Sequence, residues 1–237
     1  VACQVRARFG HAITDVVSPW ARPELVLGQQ GIPGARRWAH ADVANAMREQ
    51  CPGCVDRLRE RLGEAAADLG VDPIVVPDQL LSGDAGRLGP FQWWRLSRSA
   101  GRWVTVWRHG PSATWVAHGL LSAGPPGDGR DADLAMLRKD LQQLMALAQP
   151  DGARAQWVGE QGAVQSADAP ATMLRYWTTL LDTVGAAIDA GVDETAPAAA
   201  LSGWPEALAR HPWHALNWQR AWRQVEARRF DEAAPSK

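Results

Sequence analysis

Apolar positions along the chain change their rhythm near residue 130. Before that point they come in short runs bounded by Gly and Pro, as strands do. Ile13 to Val17 is the first such run. It breaks at Ser18-Pro19, meets a second proline at Pro23, and resumes as an apolar segment closed by Gly28. This is the layout of a strand ending in a functional loop ahead of a helix. Ala35 to His40 reads as a short strand, Ala41 to Gln50 as a helix, and Val55 to about Leu69 as a charged helix. Its Arg57, Arg59, Glu60, Arg61 and Glu64 make a solvated, salt-bridged face. Ile74 to Asp78 reads as a strand and turn. Phe91–Ser97 and Arg102–Arg108 read as two strands joined by Ser99-Ala100-Gly101. Thr114–His118 and Leu120–Ser122 read as two more.

From Asp133 the period becomes helical, with Leu134, Leu137, Leu141 and Leu144 on one stripe. Ala155 to Val158 is a last strand. Leu174, Trp177, Leu181, Val184 and Ile188 mark a long helix between Pro170 and Gly191. Thr195 to Ser202 is a linker of small residues. A final helix runs from about Trp213 to Phe230, with Trp218, Trp222 and Val225 on one face. Such stripes are core more often than cofactor sites.

Composition narrows the function classes. The chain has 237 residues, 46% hydrophobic and 22% charged, as ordinary globular proteins do. Lys+Arg 25 against Asp+Glu 26 leaves a net charge of -1, which argues for neither nucleic acid nor a charged partner. No apolar run approaches the roughly 18–20 residues needed to cross a bilayer. The sequence begins at Val1 with no Met and no signal peptide, as a mature or trimmed form would. Against 1 Tyr and 3 Phe there are 13 Trp. The simple reading is a core that uses Trp as its bulky residue; the sharper one is a groove or partner surface lined by Trp.

Cys51-Pro52-Gly53-Cys54 has three readings. The leading one is a local disulfide in an oxidising compartment. The second is a redox-active pair at a helix N-terminus, where the dipole lowers a thiol pKa. The third is half of a zinc site, with no second Cys pair to complete it. Cys3 is left over. Walker, G-x-G-x-x-G and H-E-x-x-H patterns are missing. His109 and Ser112 are close in sequence without an elbow motif around them. His211 and His214 are spaced for one helical face, but Pro212 between them argues for a helix start.

The loop after Ile13–Val17 resembles the metal-binding stretch of the metallo-β-lactamase fold, where a strand ends in T-H-x-H-x-D-H followed by a short apolar run and a Gly. On that pattern the ligand positions fall on Trp20, Arg22, Glu24 and Leu25. An indole N–H is a donor only, a guanidinium is a permanent cation, and Leu offers nothing; Glu24 alone has a lone pair for zinc. Three further places resemble the same frame. His109-Gly110-Pro111-Ser112-Ala113-Thr114 is similar to the H-T-x-G-D segment, with His109 keeping a ligand. Leu121-Ser122-Ala123-Gly124-Pro125 is similar to the strand ending in A-G-D, with Pro125 at the bridging Asp. Gly159-Glu160-Gln161-Gly162 is similar to the P-G-H-G turn, with Glu160 or Gln161 in place of the last His. The C-P-G-C motif, the tail containing Leu174-Arg175-Tyr176-Trp177, and His214-Ala215-Leu216-Asn217 resemble periplasmic zinc metallohydrolases associated with quinoprotein and sulfur-oxidation systems.

The resemblance implies an α/β protein: a degenerate αββα sandwich, shortened at the N-terminus, over residues 1–165, with a helical C-terminal extension over 166–237. Strands missing before the ligand loop would leave an open sheet edge, a pairing hazard that favours a tight partner or oligomer. The implied function is a non-catalytic binding or structural subunit, periplasmic, with no cofactor, a protein partner, no nucleic acid and no membrane span. The alternatives are a hydrolase whose His109, Glu24 and Glu160 hold a single ion, or a redox protein using Cys51 and Cys54. A salt bridge between Arg22 and Glu24 would fill the former metal cavity.

Overall fold

The computed structural model describes residues 1–161, 163–194 and 204–233. The expected linker 195–202 lies outside the described residues. Two compact units divide the chain: residues 1–96 with 102–106, and residues 97–101 with 107–237. The division passes through two long strands. The expected C-terminal extension shares its unit with everything from Trp107 onward.

In the first unit, α1 (Ala2–Phe9) buries no residue. Strands β1 (Asp15–Val17), β2 (Arg36–His40) and β3 (Gln79–Leu81) form a parallel sheet in that order, with Val17 opposite Trp38 and His40 opposite Leu81. The short helix α2 (Pro23–Val26) follows β1, and α3 (Ala41–Leu62) follows β2. His40 caps α3, its Nδ1 accepting from the Asp42 N–H at 3.2 Å. Val43, Met47 and Cys51 recur every four residues on α3 and are buried with Val26, Ala39 and Ala44, while Ile74 and Val76 cover them.

Two expectations change in this unit. The expected helices at 41–50 and 55–69 are one helix to Leu62, followed by a 3-10 stretch from Gly63 to Leu69. Pro52 sits inside α3 without ending it. Ile74–Asp78 is not a strand, and the third strand is Gln79–Leu81. Pro73 precedes that segment and Pro77 lies within it, and neither brings an N–H to a ladder.

A second sheet has the order β4 (Ala85–Leu88), β5 (Phe91–Ser99), β6 (Arg102–His109), β7 (Thr114–Val116), β8 (Gln156–Val158). The β4–β5 and β6–β7 pairs are antiparallel, and β7–β8 is parallel. Leu120–Ser122 is not a strand. The Leu121 N–H donates to the Ala117 carbonyl at 3.0 Å, curling the chain into a turn at Gly119.

Three long helices complete the second unit: α4 (Leu134–Ala148), α5 (Ala169–Asp189) and α7 (Pro212–Ala233), with the short α6 (Glu206–Ala209) ahead of α7. Asp133 caps α4, its Oδ1 accepting from Ala135 and Met136 N–H at 2.8 and 3.0 Å. The stripe Leu134, Leu137, Leu141, Leu144 is buried as the period requires. α5 packs on both α4 and α7. Its buried side is Met173, Tyr176, Trp177, Leu180, Leu181 and Val184, leaving Leu174 and Ile188 half-buried. On α7, Trp218, Ala221 and Trp222 are buried. Trp residues serve mainly as core: Trp20, Trp93, Trp107, Trp115, Trp157, Trp177, Trp218 and Trp222 are buried. No helix among the described residues is long and apolar enough to cross a membrane.

Candidate functional site

The loop after β1 follows a fixed path within the first unit. Ser18 is fully buried, and its N–H donates to the Trp38 carbonyl at 2.9 Å. Its Oγ accepts from Gln29 Nε2 at 2.8 Å, and the same amide donates to the Leu25 carbonyl at 3.0 Å. The Pro19 carbonyl accepts the Thr105 N–H at 2.8 Å. Trp20 then turns inward and is 5% exposed. The Arg22 guanidinium lies over its ring, 4.2 Å from the centroid, in cation–π contact. The Arg22 carbonyl accepts from Leu25 and Val26 N–H at 2.9 and 3.0 Å, which starts α2. Pro23 holds the first helical position, where a missing N–H costs nothing. Glu24 is exposed, Leu25 half-buried and Val26 buried. These positions therefore gather one carboxylate, one fixed cation and a buried indole. A fixed cation in the loop opposes the entry of another.

Register decides what meets in the second unit. His109 pairs with Thr114, and Thr114 pairs with Gln156. Glu160 lies four residues beyond Gln156, so at about 3.3 Å per residue it is on the order of 10 Å further along the strand direction. The structure thus separates His109 from Glu160. His109 ends β6 at the β6–β7 turn, where its Nδ1 is 2.7 Å from Ser112 Oγ. Ser112 Oγ in turn is 2.8 Å from Thr114 Oγ1. Pro111 and Ser112 of that turn are exposed, and Ala113 is buried.

Glu160 joins a different group at the far end of β7 and β8. Its Oε1 accepts the Gly119 N–H at 3.0 Å, and its own N–H donates to the Leu121 carbonyl at 2.8 Å. Gln165 Nε2 donates to the Ser122 carbonyl at 2.7 Å. His118 is next to Gly119, and burial holds its pKa below the ordinary imidazole value. It is uncharged at neutral pH. Pro125 lines a neighbouring cleft of about 480 Å³ with Gly124, Gln165, Ser166, Asp168 and Thr172. The sequence pattern assigns His118 only to the end of a strand; its one signal as a site residue is its place at the A-H-G bend. Gly162, the last residue of the expected turn, lies outside the described residues.

Gly159 makes the close approach of these segments possible. A Cβ there would sit 2.7 Å from the Leu121 carbonyl oxygen and 3.0 Å from that of Ser122. Backbone atoms cannot swing aside as a side-chain tip can. Gly159→Ala is expected to cost about 1–3 kcal/mol and to lower Tm by roughly 2–10 °C. A thermal melt checks this, and an unchanged Tm would mean that the two turns separate at no cost.

Cys51 and Cys54 do not form the expected disulfide. Both are free thiols, as is Cys3. They lie inside α3, not at its N-terminus, so the macrodipole that would activate a thiol is missing. Burial, with Cys54 nearby, pushes the Cys51 thiol up to about 11, the reverse of what a redox-active pair needs.

Solved structures give the decisive comparison. The chain is similar to a metallo-β-lactamase from Hirschia baltica, at 12% identity over 74% of this chain and 73% of that one, with a TM-score of 0.57. For the metallo-β-lactamase FIM-1 from Pseudomonas aeruginosa, in its mono-zinc form, the values are 14%, 75%, 72% and 0.57. For a metallo-β-lactamase from Erythrobacter litoralis they are 12%, 75%, 73% and 0.58. The chain has the metallo-β-lactamase fold. No protein-family model matches it, and neither does any curated protein. Zinc is the metal that the resemblance to the T-H-x-H-x-D-H loop implies, and the residues do not fit it. Catalytic zinc takes three protein ligands and keeps one open position. Among the described residues, no three His, Cys, Asp or Glu side chains are grouped to hold an ion. Within this metallo-β-lactamase fold, Trp20 and Arg22 fill the loop and Glu160 is spent on a backbone N–H.

Proposed function

We propose that this protein is a non-catalytic member of the metallo-β-lactamase fold that serves as a binding or structural subunit of a periplasmic complex. The observation that carries the reading is the Arg22 guanidinium stacked 4.2 Å over the buried Trp20 ring, in the loop that resembles a ligand loop. A hydrolytic zinc needs neutral or anionic donors at those positions to bring its bound water to a pKa near 7. A cation stacked on an indole supplies neither. The periplasmic setting, and the tie to quinoprotein and sulfur-oxidation systems, rest on the resemblance of the C-P-G-C motif and the helical tail.

Two measurements test this. Purified protein is expected to carry well under one zinc per chain by elemental analysis, and excess zinc or a chelator should leave its melting curve unchanged. One zinc per chain, together with hydrolysis of a β-lactam or thioester that Glu24→Ala or Glu160→Ala abolishes, would overturn the reading. For the subunit role, the native mass is expected to exceed the 25.7 kDa of one chain. A stable monomer at micromolar concentration counts against it.

A further inference from the structure

Two buried charges of the second unit act on each other where α4 approaches β5. Arg98 of β5 is fully buried, and Asp140 of α4 is 5% exposed. Asp140 follows Leu137 by three residues and precedes Leu144 by four, so it lies on the stripe that α4 buries. Its carboxyl accepts the Ser97 N–H of β5, and its Oδ2 has no hydrogen-bond partner among the described residues. Arg98 holds the loop ahead of α4. Its Nη2 donates to the Asp128 carbonyl at 2.5 Å and to the Arg130 carbonyl at 3.1 Å, and its own carbonyl accepts the Asp133 N–H at 3.0 Å. The loop runs on into Asp131, whose φ of 55° is a left-handed conformation that costs a residue with a Cβ more than it costs Gly. We propose that Asp140 is a proton-operated catch on the loop Asp128–Asp131: protonated, it leaves Arg98 to the loop carbonyls, and ionised, it draws the guanidinium toward α4 and loosens the loop.

The surrounding charges leave one cation to answer Asp140. Those that act on it are Arg98 from the sheet and Lys139 from its own helix, and Lys139 is exposed to water, which screens it. On α5, the charged Arg175, Asp182 and Asp189 are all exposed. Asp133 is paired with Arg228 of α7, Asp151 with Arg108 of β6, and Asp128 with Arg130 of the loop itself. A buried carboxylate needs a paired charge and donors for both oxygens. Ionisation therefore sets Oδ2 of Asp140 in competition with two backbone carbonyls for the same guanidinium.

Burial pushes the Asp140 carboxyl up to about 7, while the Ser97 N–H, Arg98 and Lys139 pull it down. The catch therefore works near neutral pH. Its step is the loss of one proton to solvent, with no other covalent change. The sign follows from linkage. A carboxyl raised in the folded state stabilises the fold fully below the unfolded value of about 3.9, and that contribution is lost as pH rises to the folded value.

Hydrogen exchange of the full chain tests this, read at the amides of residues 128–132 as protection factors, so that the intrinsic pH dependence of exchange drops out. Protection is expected to fall about 5–10-fold between about pH 5.5 and about pH 8.5 in the parent, and to stay within about twofold in Asp140→Asn, which keeps the shape of the neutral acid. Asp140→Leu, which extends the leucine stripe, takes its place if the Asn variant does not fold. In urea, the unfolding constant of the parent relative to the variant should rise by up to about tenfold per pH unit from about pH 4 to about pH 7, and no further above that. Amides of α5 are the control for a global change. The proposal is overturned if loop protection in the parent is independent of pH, if the variant keeps the parent's profile, or if α5 loses protection in step with the loop. None of these outcomes involves zinc or the native mass, so this catch and the proposed function fail separately.

Discussion

Replacing Asp151 with Ala is expected to destabilise the protein by about 3–5 kcal/mol, the cost of breaking a buried ion pair by removing one partner. Asp151 follows α4 in a 3-10 stretch and is 4% exposed. Arg108 of β6 donates to both of its oxygens, from Nε at 2.6 Å and Nη2 at 2.5 Å. Trp115 of β7, fully buried, donates its Nε1–H to Oδ2 at 2.9 Å. One carboxylate thus ties the end of α4 to two strands of the sheet. Ala would take that acceptor from a cation and from a buried indole at once. For a chain of this size the loss corresponds to a Tm lower by roughly 6–20 °C. Asp151→Asn keeps the shape and an acceptor for Trp115 while removing the charge, and should fall between Ala and the parent. An Ala variant within 1 kcal/mol of the parent in urea unfolding would show that this network does not fasten the helix.

The same group sets a pH dependence whose sign is fixed. Hydrogen bonding from Arg108, with help from Trp115, holds the Asp151 carboxyl below its ordinary value despite burial. A depressed folded pKa contributes stability that is present above the unfolded value of about 3.9 and lost as pH falls through the folded one. Stability curves of the parent and of Asp151→Asn should therefore lie apart at neutral pH and converge below about pH 4. Curves that stay parallel to pH 2 would remove Asp151 from the acid response.

Asp151 was not legible in the sequence. A lone Asp in Q-P-D-G reads as turn chemistry, and only the tertiary approach of Arg108 and Trp115 makes it a buried anchor. The long helices were legible, because Leu134 to Leu144 and Trp177 to Val184 repeat at the helical period and that period dictates a buried face. α3 reads as two helices in the sequence, since Pro52-Gly53 carries two helix breakers. Burial of Met47, Cys51 and Val55 along one stripe outweighs that local cost. The strand, its break at Ser18-Pro19 and the helical turn that starts at Pro23 were legible through the placing of the prolines and Gly28. Which His sits near Glu160 was not, because that depends on the β6–β7–β8 register, and the register moves His109 away. Buried Arg98 was also invisible: it reads as a surface strand charge, yet its Nη2 donates to the carbonyls of Asp128 and Arg130.

Those carbonyls belong to a loop that α7 grips from its other side, and the second large effect is expected there. Asn217 is fully buried. Its Nδ2 donates to the Gly127 carbonyl at 2.7 Å and to Tyr176 Oη at 3.1 Å. Its Oδ1 accepts the Gly129 N–H at 3.3 Å. The amide thus stands in for a strand neighbour and satisfies two buried backbone groups of an irregular loop. The fit leaves no slack: a Cβ on Gly129 would lie 2.7 Å from Asn217 Oδ1 and 3.0 Å from Trp177. Asn217→Leu keeps the volume and strands both backbone groups, at about 1–3 kcal/mol each, for a total near 3–4 kcal/mol. Asn217→Asp discriminates between size and hydrogen bonding. It keeps an acceptor for Gly129 but turns an oxygen toward the Gly127 carbonyl, so donation is lost and two acceptors face each other. Asp should therefore be at least as damaging as Leu. If Asp instead unfolds within 1 kcal/mol of the parent, the Nδ2 donations hold nothing, and the loop keeps its path through the Gly129 N–H and Arg98.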